Sequence, residues 1–161
     1  IETIAEVWPI VTSPHELNNV GGLVSFWENT EKALRWVYDV VFATHTSPPA
    51  YPVVTTHSGF NKTVKSSQCH TRPATLLKVF RTTILGLTGI LPRNTEIHHP
   101  LTKGGKQIVS GQAAAWRLWI EHGSPGWRLH YWKFPDGSIE LANLVPHDSY
   151  FIPVPDKPLK A

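Results

Sequence analysis

The sequence predicts an α+β fold: a single domain with several short helices and a small antiparallel sheet that includes a C-terminal β-hairpin. Three observations carry this. Apolar residues recur at helical spacing over 30–42 and again over 72–87. Apolar and polar residues alternate over 127–134 and resume over 138–145 after Pro135-Asp136-Gly137. Elsewhere 14 Pro and 11 Gly punctuate the chain too often for long elements. A chain of 161 residues is one domain's worth. The domain is expected at 1–150, followed by a proline-rich extended tail at 151–161 that is either draped over the domain or mobile.

In order along the chain, Ser13-Pro14-His15-Glu16 reads as a capping-box start of a short helix ended by Gly21-Gly22. A second helix runs from Asn29 or Thr30 to about Phe42, with Ala33, Leu34, Trp36, Val37, Val40 and Val41 as its apolar side. Thr44 to Pro52 is a loop. Tyr51–Thr56 and Lys62–Ser66 read as short strands of a hairpin around His57-Ser58-Gly59. Arg72-Pro73 opens a helix to about Leu87, stopped by Gly86 and Gly89. Leu91–Asn94 is a turn and Thr95–His98 a short strand. After the Gly104-Gly105 loop, Ser110 is expected to cap a helix over Gly111–His122, with Trp116, Trp119 and Ile120 inward and Gly123 as its stop. In the hairpin, Trp127, Leu129 and Tyr131 share one face, while Arg128, His130 and Trp132 share the other, read as exposed.

Composition narrows the class. One cysteine, Cys69, rules out a disulfide framework and a four-cysteine zinc site; in its Ser-Ser-Gln-Cys-His context it reads as a buried, inert thiol. No apolar run approaches the roughly 18 residues of a membrane span. Residues 1–10 hold two Glu and no Lys or Arg, which is not a signal-peptide start. The absence of Met and the start at Ile1 suggest an excised domain. No Walker loop, dinucleotide fingerprint or Gly-x-Ser-x-Gly elbow occurs. The net charge of +3 conceals an asymmetry. Residues 61–110 carry eight Lys or Arg against Glu96 alone, whereas residues 1–60 carry two against six acids. That is the footprint of a surface for a polyanion, expected as RNA or DNA, with Lys62, Lys65, Arg72, Arg93 and Lys106 as contacts. Arg128, His130 and Trp132 would add a base-stacking surface.

The chemistry concentrates in residues 91–105, LPRNTEIHHPLTKGG. A histidine pair ends a strand and runs into a Gly-Gly loop with a lysine. One histidine suits a general base, the other a metal ligand. Lys103 and the glycines suit a phosphate. Candidate catalytic residues are therefore His99, His98, Lys103 and Glu96. This segment resembles the start of His-Me finger (HNH-like) nucleases, most closely those found as C-terminal toxin domains of secreted bacterial polymorphic toxins. The resemblance implies a divalent metal (Mg or Zn) held by His98 and by His122 on a later helix, with His99 or His98 as base. It also implies export from a producer cell, action in a target-cell cytoplasm and an immunity protein as partner, which the basic residues 61–110 lead one to expect to be acidic. Gln112 stands near the place where the group carries Asn.

Two other readings stay open. Two histidines with Lys or Arg can cleave RNA without metal: one takes the 2′-hydroxyl proton, the other protonates the leaving oxygen, and the cation stabilises the phosphorane. Alternatively the seven Trp and many Pro mark a non-enzymatic binding module.

Overall fold

The structure, a computed structural model, describes Leu23, residues 27–121 and residues 126–157. The helix expected from Ser13, His122 with its Gly123 stop, and Pro158–Ala161 lie outside the described residues. What is described is an α+β domain with a helical layer on one face of a mixed sheet.

Helix α1, Thr30–Val41, starts where the Asn29 side chain accepts the Lys32 N–H at 3.1 Å. It buries Ala33, Leu34, Val37 and Tyr38 on one face. Strand β1 is Val54–Thr56. The segment expected as its hairpin partner is instead a helix, α2, Phe60–Ser66. Phe60 and Val64, four apart, are fully buried, and that helical spacing outweighs the β-branched Thr63 and Val64. A single 3₁₀ turn, Cys69–Thr71, leads to α3, Pro73–Leu87, with Pro73 in its first turn. Cys69 is buried and free, and burial raises its thiol pKa, as fits an inert side chain.

Seven further strands follow: β2 His98–Pro100, β3 Thr102–Lys103, β4 Lys106–Gln107, β5 Val109–Ser110, β6 Ala113–Trp119, β7 Trp127–Lys133 and β8 Ile139–Pro146. The sheet order is β1-β8-β7-β6-β2, with β5 also paired to β6. β1 runs parallel to β8; the other pairs are antiparallel. β3 and β4 form a separate two-residue hairpin whose turn, Gly104-Gly105, has φ of 59° and 75°. Both values lie in the left-handed region that favours glycine.

The helix expected over Gly111–His122 is thus a strand over its described part. Ser110 and three alanines suit a helix locally. In place, β6 is the central strand between β2/β5 and β7, and its two faces meet two different cores. On the helical face, Leu118, Leu129, Tyr131, Leu141 and Leu144 join Leu34, Val37, Phe60, Leu76 and Phe80 in the main core. Gly86 of α3 lies directly on Leu118; a Cβ there would stand 2.8 Å from both Leu118 methyls. On the other face, Leu101, Ala113, Ala115, Trp132, Phe134 and Ala142 form a smaller core.

That second face is not open. Residues 147–157 cross it as an extended strap. Trp132 Nε1 donates to the Pro153 carbonyl at 2.9 Å. The Glu140 carboxylate, 1% exposed, accepts the Asp156 and Lys157 N–H groups at 3.0 and 2.8 Å. Asp156 in turn accepts the Ser58 N–H at 2.6 Å and meets His57 Nε2 at 3.2 Å. The tail is therefore draped, and it packs with the rest of the domain.

Candidate functional site

His98 and His99 sit on opposite faces of β2. His98 turns into the main core and is fully buried. Its Nδ1 lies 3.0 Å from the Leu91 carbonyl and its Nε2 2.7 Å from the Tyr131 hydroxyl. Nδ1–H therefore donates to Leu91, and Nε2 accepts from Tyr131, near which the Arg93 cation lies. Burial, chiefly, lowers the His98 pKa to about 4 and raises that of Tyr131 to about 12. Both ring nitrogens are committed, so His98 offers no lone pair to a metal and no proton site to a substrate. Its expected catalytic and ligand roles give way to a packing role. Among the described residues no group of three or more His, Cys, Asp or Glu is placed to hold a metal.

His99 faces the strap side, half-buried, with Nδ1 3.0 Å from the Pro100 carbonyl. Strand register makes it the first member of a row. His99 pairs with Arg117, Arg117 with His130, and His130 with Asn143. Directly opposed side chains on one face stand about 5 Å apart at Cβ, so the two histidines are roughly 10 Å apart with the guanidinium between them.

The row is polar yet buried: Arg117 is 4% exposed, His130 0% and Asn143 2%. Its partners are main-chain carbonyls of the strap. Arg117 Nη2 donates to His147 O and, at 3.5 Å, to Ser149 O. His130 Nδ1 and Asn143 Nδ2 both donate to Phe151 O, at 2.9 and 3.0 Å. The Arg117 guanidinium also lies over the Tyr150 ring, 4.7 Å from its centroid. Arg117 Nε, His130 Nε2 and Asn143 Oδ1 make no protein hydrogen bond of ordinary geometry; the Asn143 side chain lies against the His130 ring and favours its protonated form. Burial lowers the His130 pKa to about 4; the Phe151 carbonyl opposes this, and the Arg117 cation adds to it.

Other expected contacts lie elsewhere. Arg128, His130 and Trp132 share a face as alternation requires, but the strap covers it, so none presents a stacking surface. Arg128 is 7% exposed, donates to the Glu121, Gly126 and Trp127 carbonyls, and stacks 4.2 Å from the Trp119 centroid. Trp132 is buried in the smaller core. Lys62, Lys65 and Arg72 belong to the helical layer, Lys65 pairing with Glu28 at 3.3 Å. Arg93 stacks on Trp116 at 5.4 Å. The expected basic contacts are thus spread over the helical layer, the turn before β2 and the β3–β4 hairpin. Lys103 and Lys106 are exposed on the β3–β4 hairpin. Lys103 lines a cleft of about 510 Å³ with Thr102, Gly104, Tyr150 and Phe151, next to the strap. Glu96 is exposed in the turn before β2.

Arg117 and Asn143 are the members of the row that sequence reasoning passes over. Each carries a signal: Arg117 is the one polar residue of its strand, and Asn143 interrupts the apolar run from Leu141 to Val145. No helix of the described residues is long and apolar enough to cross a membrane. No family model, curated protein or solved structure matches the chain.

Proposed function

We propose that the chain cleaves RNA without a metal, at the row His99–Arg117–His130–Asn143. The observation that supports this is the row itself: two histidines flanking an arginine on one sheet face, in register across three strands. His99 is the general base. Its Nδ1–H faces the Pro100 carbonyl, which leaves the Nε2 lone pair to take the 2′-hydroxyl proton. The 2′-oxygen attacks phosphorus, and Arg117 stabilises the phosphorane. His130 protonates the leaving 5′-oxygen. Burial holds His130 neutral in the described arrangement; contact with water and a phosphate would raise its pKa into the range an acid needs. The products are a 2′,3′-cyclic phosphate and a 5′-hydroxyl. The exported-toxin role and an immunity partner rest on the resemblance of residues 91–105, and the acidity of that partner on the excess of Lys and Arg over residues 61–110.

The test is cleavage of a labelled RNA in EDTA, beside the same sequence made entirely with 2′-deoxyribose. Cleavage of the RNA only, with cyclic-phosphate ends and loss in Arg117→Gln, is expected. Loss of cleavage in EDTA, or equal cleavage of the deoxy strand, would overturn the reading in favour of a metal-dependent nuclease.

A further inference from the structure

The strap is bound in an unusual way. It offers its carbonyls at alternate positions, Ser149, Phe151 and Pro153, to Arg117, to His130 with Asn143, and to Trp132. Alternate residues of an extended chain repeat at about 7 Å. The sheet face thus presents a line of side-chain donors, every one aimed at an oxygen, and the oxygens come from a segment without regular secondary structure. A single-stranded nucleic acid meets the same demand with its phosphate oxygens. The far end of the strap is clasped separately. Glu140 takes two N–H groups, Asp156 takes Ser58 N–H and pairs with His57, and Lys157 Nζ reaches Asp136 at 3.2 Å and Ser138 Oγ. None of these clasp residues belongs to the row.

We propose that residues 147–157 are an intramolecular occupant of the groove that takes RNA, so that the chain holds its own site shut until the strap is displaced. This rests on the reading of the row as an RNA-cleaving site. Three features fit it together. Donors of the row are spent on strap carbonyls. His130 is sealed at 0% exposure. The cleft beside Tyr150 and Phe151, with Lys103 on its rim, abuts the strap and gives an incoming strand a place to start.

The proposal predicts a gain of activity, which damage to a site does not produce. Glu140→Gln removes a carboxylate that accepts two N–H bonds; Asp156→Asn loosens the second anchor. Charge-assisted bonds of this kind are individually strong enough to shift an open–closed balance by about ten-fold or more. Hydrogen exchange of the Asp156 and Lys157 amides, the strap N–H groups held in hydrogen bonds, reports opening. RNA cleavage and anisotropy of a fluorescent 2′-O-methyl RNA, which cannot be cleaved by this route, report the site. Faster exchange with about ten-fold faster cleavage in either variant, or in the double variant, supports the strap as occupant. Faster exchange with unchanged or slower cleavage overturns it, because the strap is then a wall of the site. Unchanged exchange in the double variant also overturns it. Should no form cleave RNA, the cleavage reading fails separately; tighter binding of the 2′-O-methyl RNA by the opened variants would still support the strap as occupant, and equal binding would overturn it.

Discussion

Replacing His98 and His99 one at a time separates packing from chemistry, because the rings are sequence neighbours with opposite surroundings. His98→Ala removes a fully buried ring and two hydrogen bonds, leaving the Leu91 carbonyl and the Tyr131 hydroxyl each short of a partner. Each buried group so stranded costs about 1–3 kcal/mol. The space left by the ring, which meets Trp116 edge-on at 5.7 Å, adds to that. The expected loss is about 3–5 kcal/mol, among the large values for single substitutions. At roughly 2–4 °C per kcal/mol for a chain of this size, the unfolding midpoint falls by about 6–20 °C. His99→Ala exposes a half-open site and breaks one contact, so its cost stays under about 1 kcal/mol. Its cleavage rate instead falls by about 10²–10⁴, the usual worth of a general base. Urea unfolding of both variants, with cleavage measured at a temperature where both are folded, checks the pair. A His98→Ala protein of normal stability but no activity would refute the assignment. So would a His99→Ala protein that is fully active.

Stability should also depend on pH in a defined direction. His98 and His130 titrate near 4 in the folded chain and near the ordinary 6.5 when unfolded. The unfolded chain therefore binds more protons between those values, so their contribution is complete above 6.5 and is lost as pH falls through 4. Unfolding free energies from urea titrations at pH 7.5 and 4.5 should differ by several kcal/mol, and His98→Gln should shrink the difference. Gly86→Ala should destabilise by about 1–2 kcal/mol net: crowding of Leu118 at 2.8 Å outweighs the helix gain from alanine, and thermal melts would show it.

The elements legible in the sequence are those whose pattern is local. The β7–β8 hairpin alternates around a Pro-Asp-Gly turn, and α3 begins at a proline and ends near a glycine, as both do in the structure. The β6 strand misleads because Ala113-Ala114-Ala115 and a Ser110 cap favour a helix, while the strand is dictated by neighbours distant in sequence. Helix α2 misleads because it is too short to show a period. Of the site, the opposed faces of the histidine pair follow from alternation. Arg117 stands out in the sequence as one polar residue in an apolar stretch, but its place between the two histidines comes only through register, which joins β2, β6 and β7. The burial of His130 and Trp132 depends on a tail whose path no residue within it announces. The clasp is equally non-local, since Glu140 reads as a surface acid until Asp156 and Lys157 are laid over it.

The parallel pairing of β1 with β8 has a consequence for when the fold can be completed. Thr55 and Ile139 touch across 84 residues, and β8 fixes β1 at both ends through Ile139 N to Val53 O and His57 N to Leu141 O. Closing so long a loop costs about 4 kcal/mol of chain entropy before any contact repays it. On a ribosome, β1 emerges early and waits while α2, α3 and the meander are made. The strap, which follows β8 in the chain, cannot seat until β8 is in place to receive it. Val54–Thr56 therefore stays an unpaired edge in any nascent chain that stops short of Ile139, open to pairing with another chain, and the finished sheet records that translation has passed its final strand.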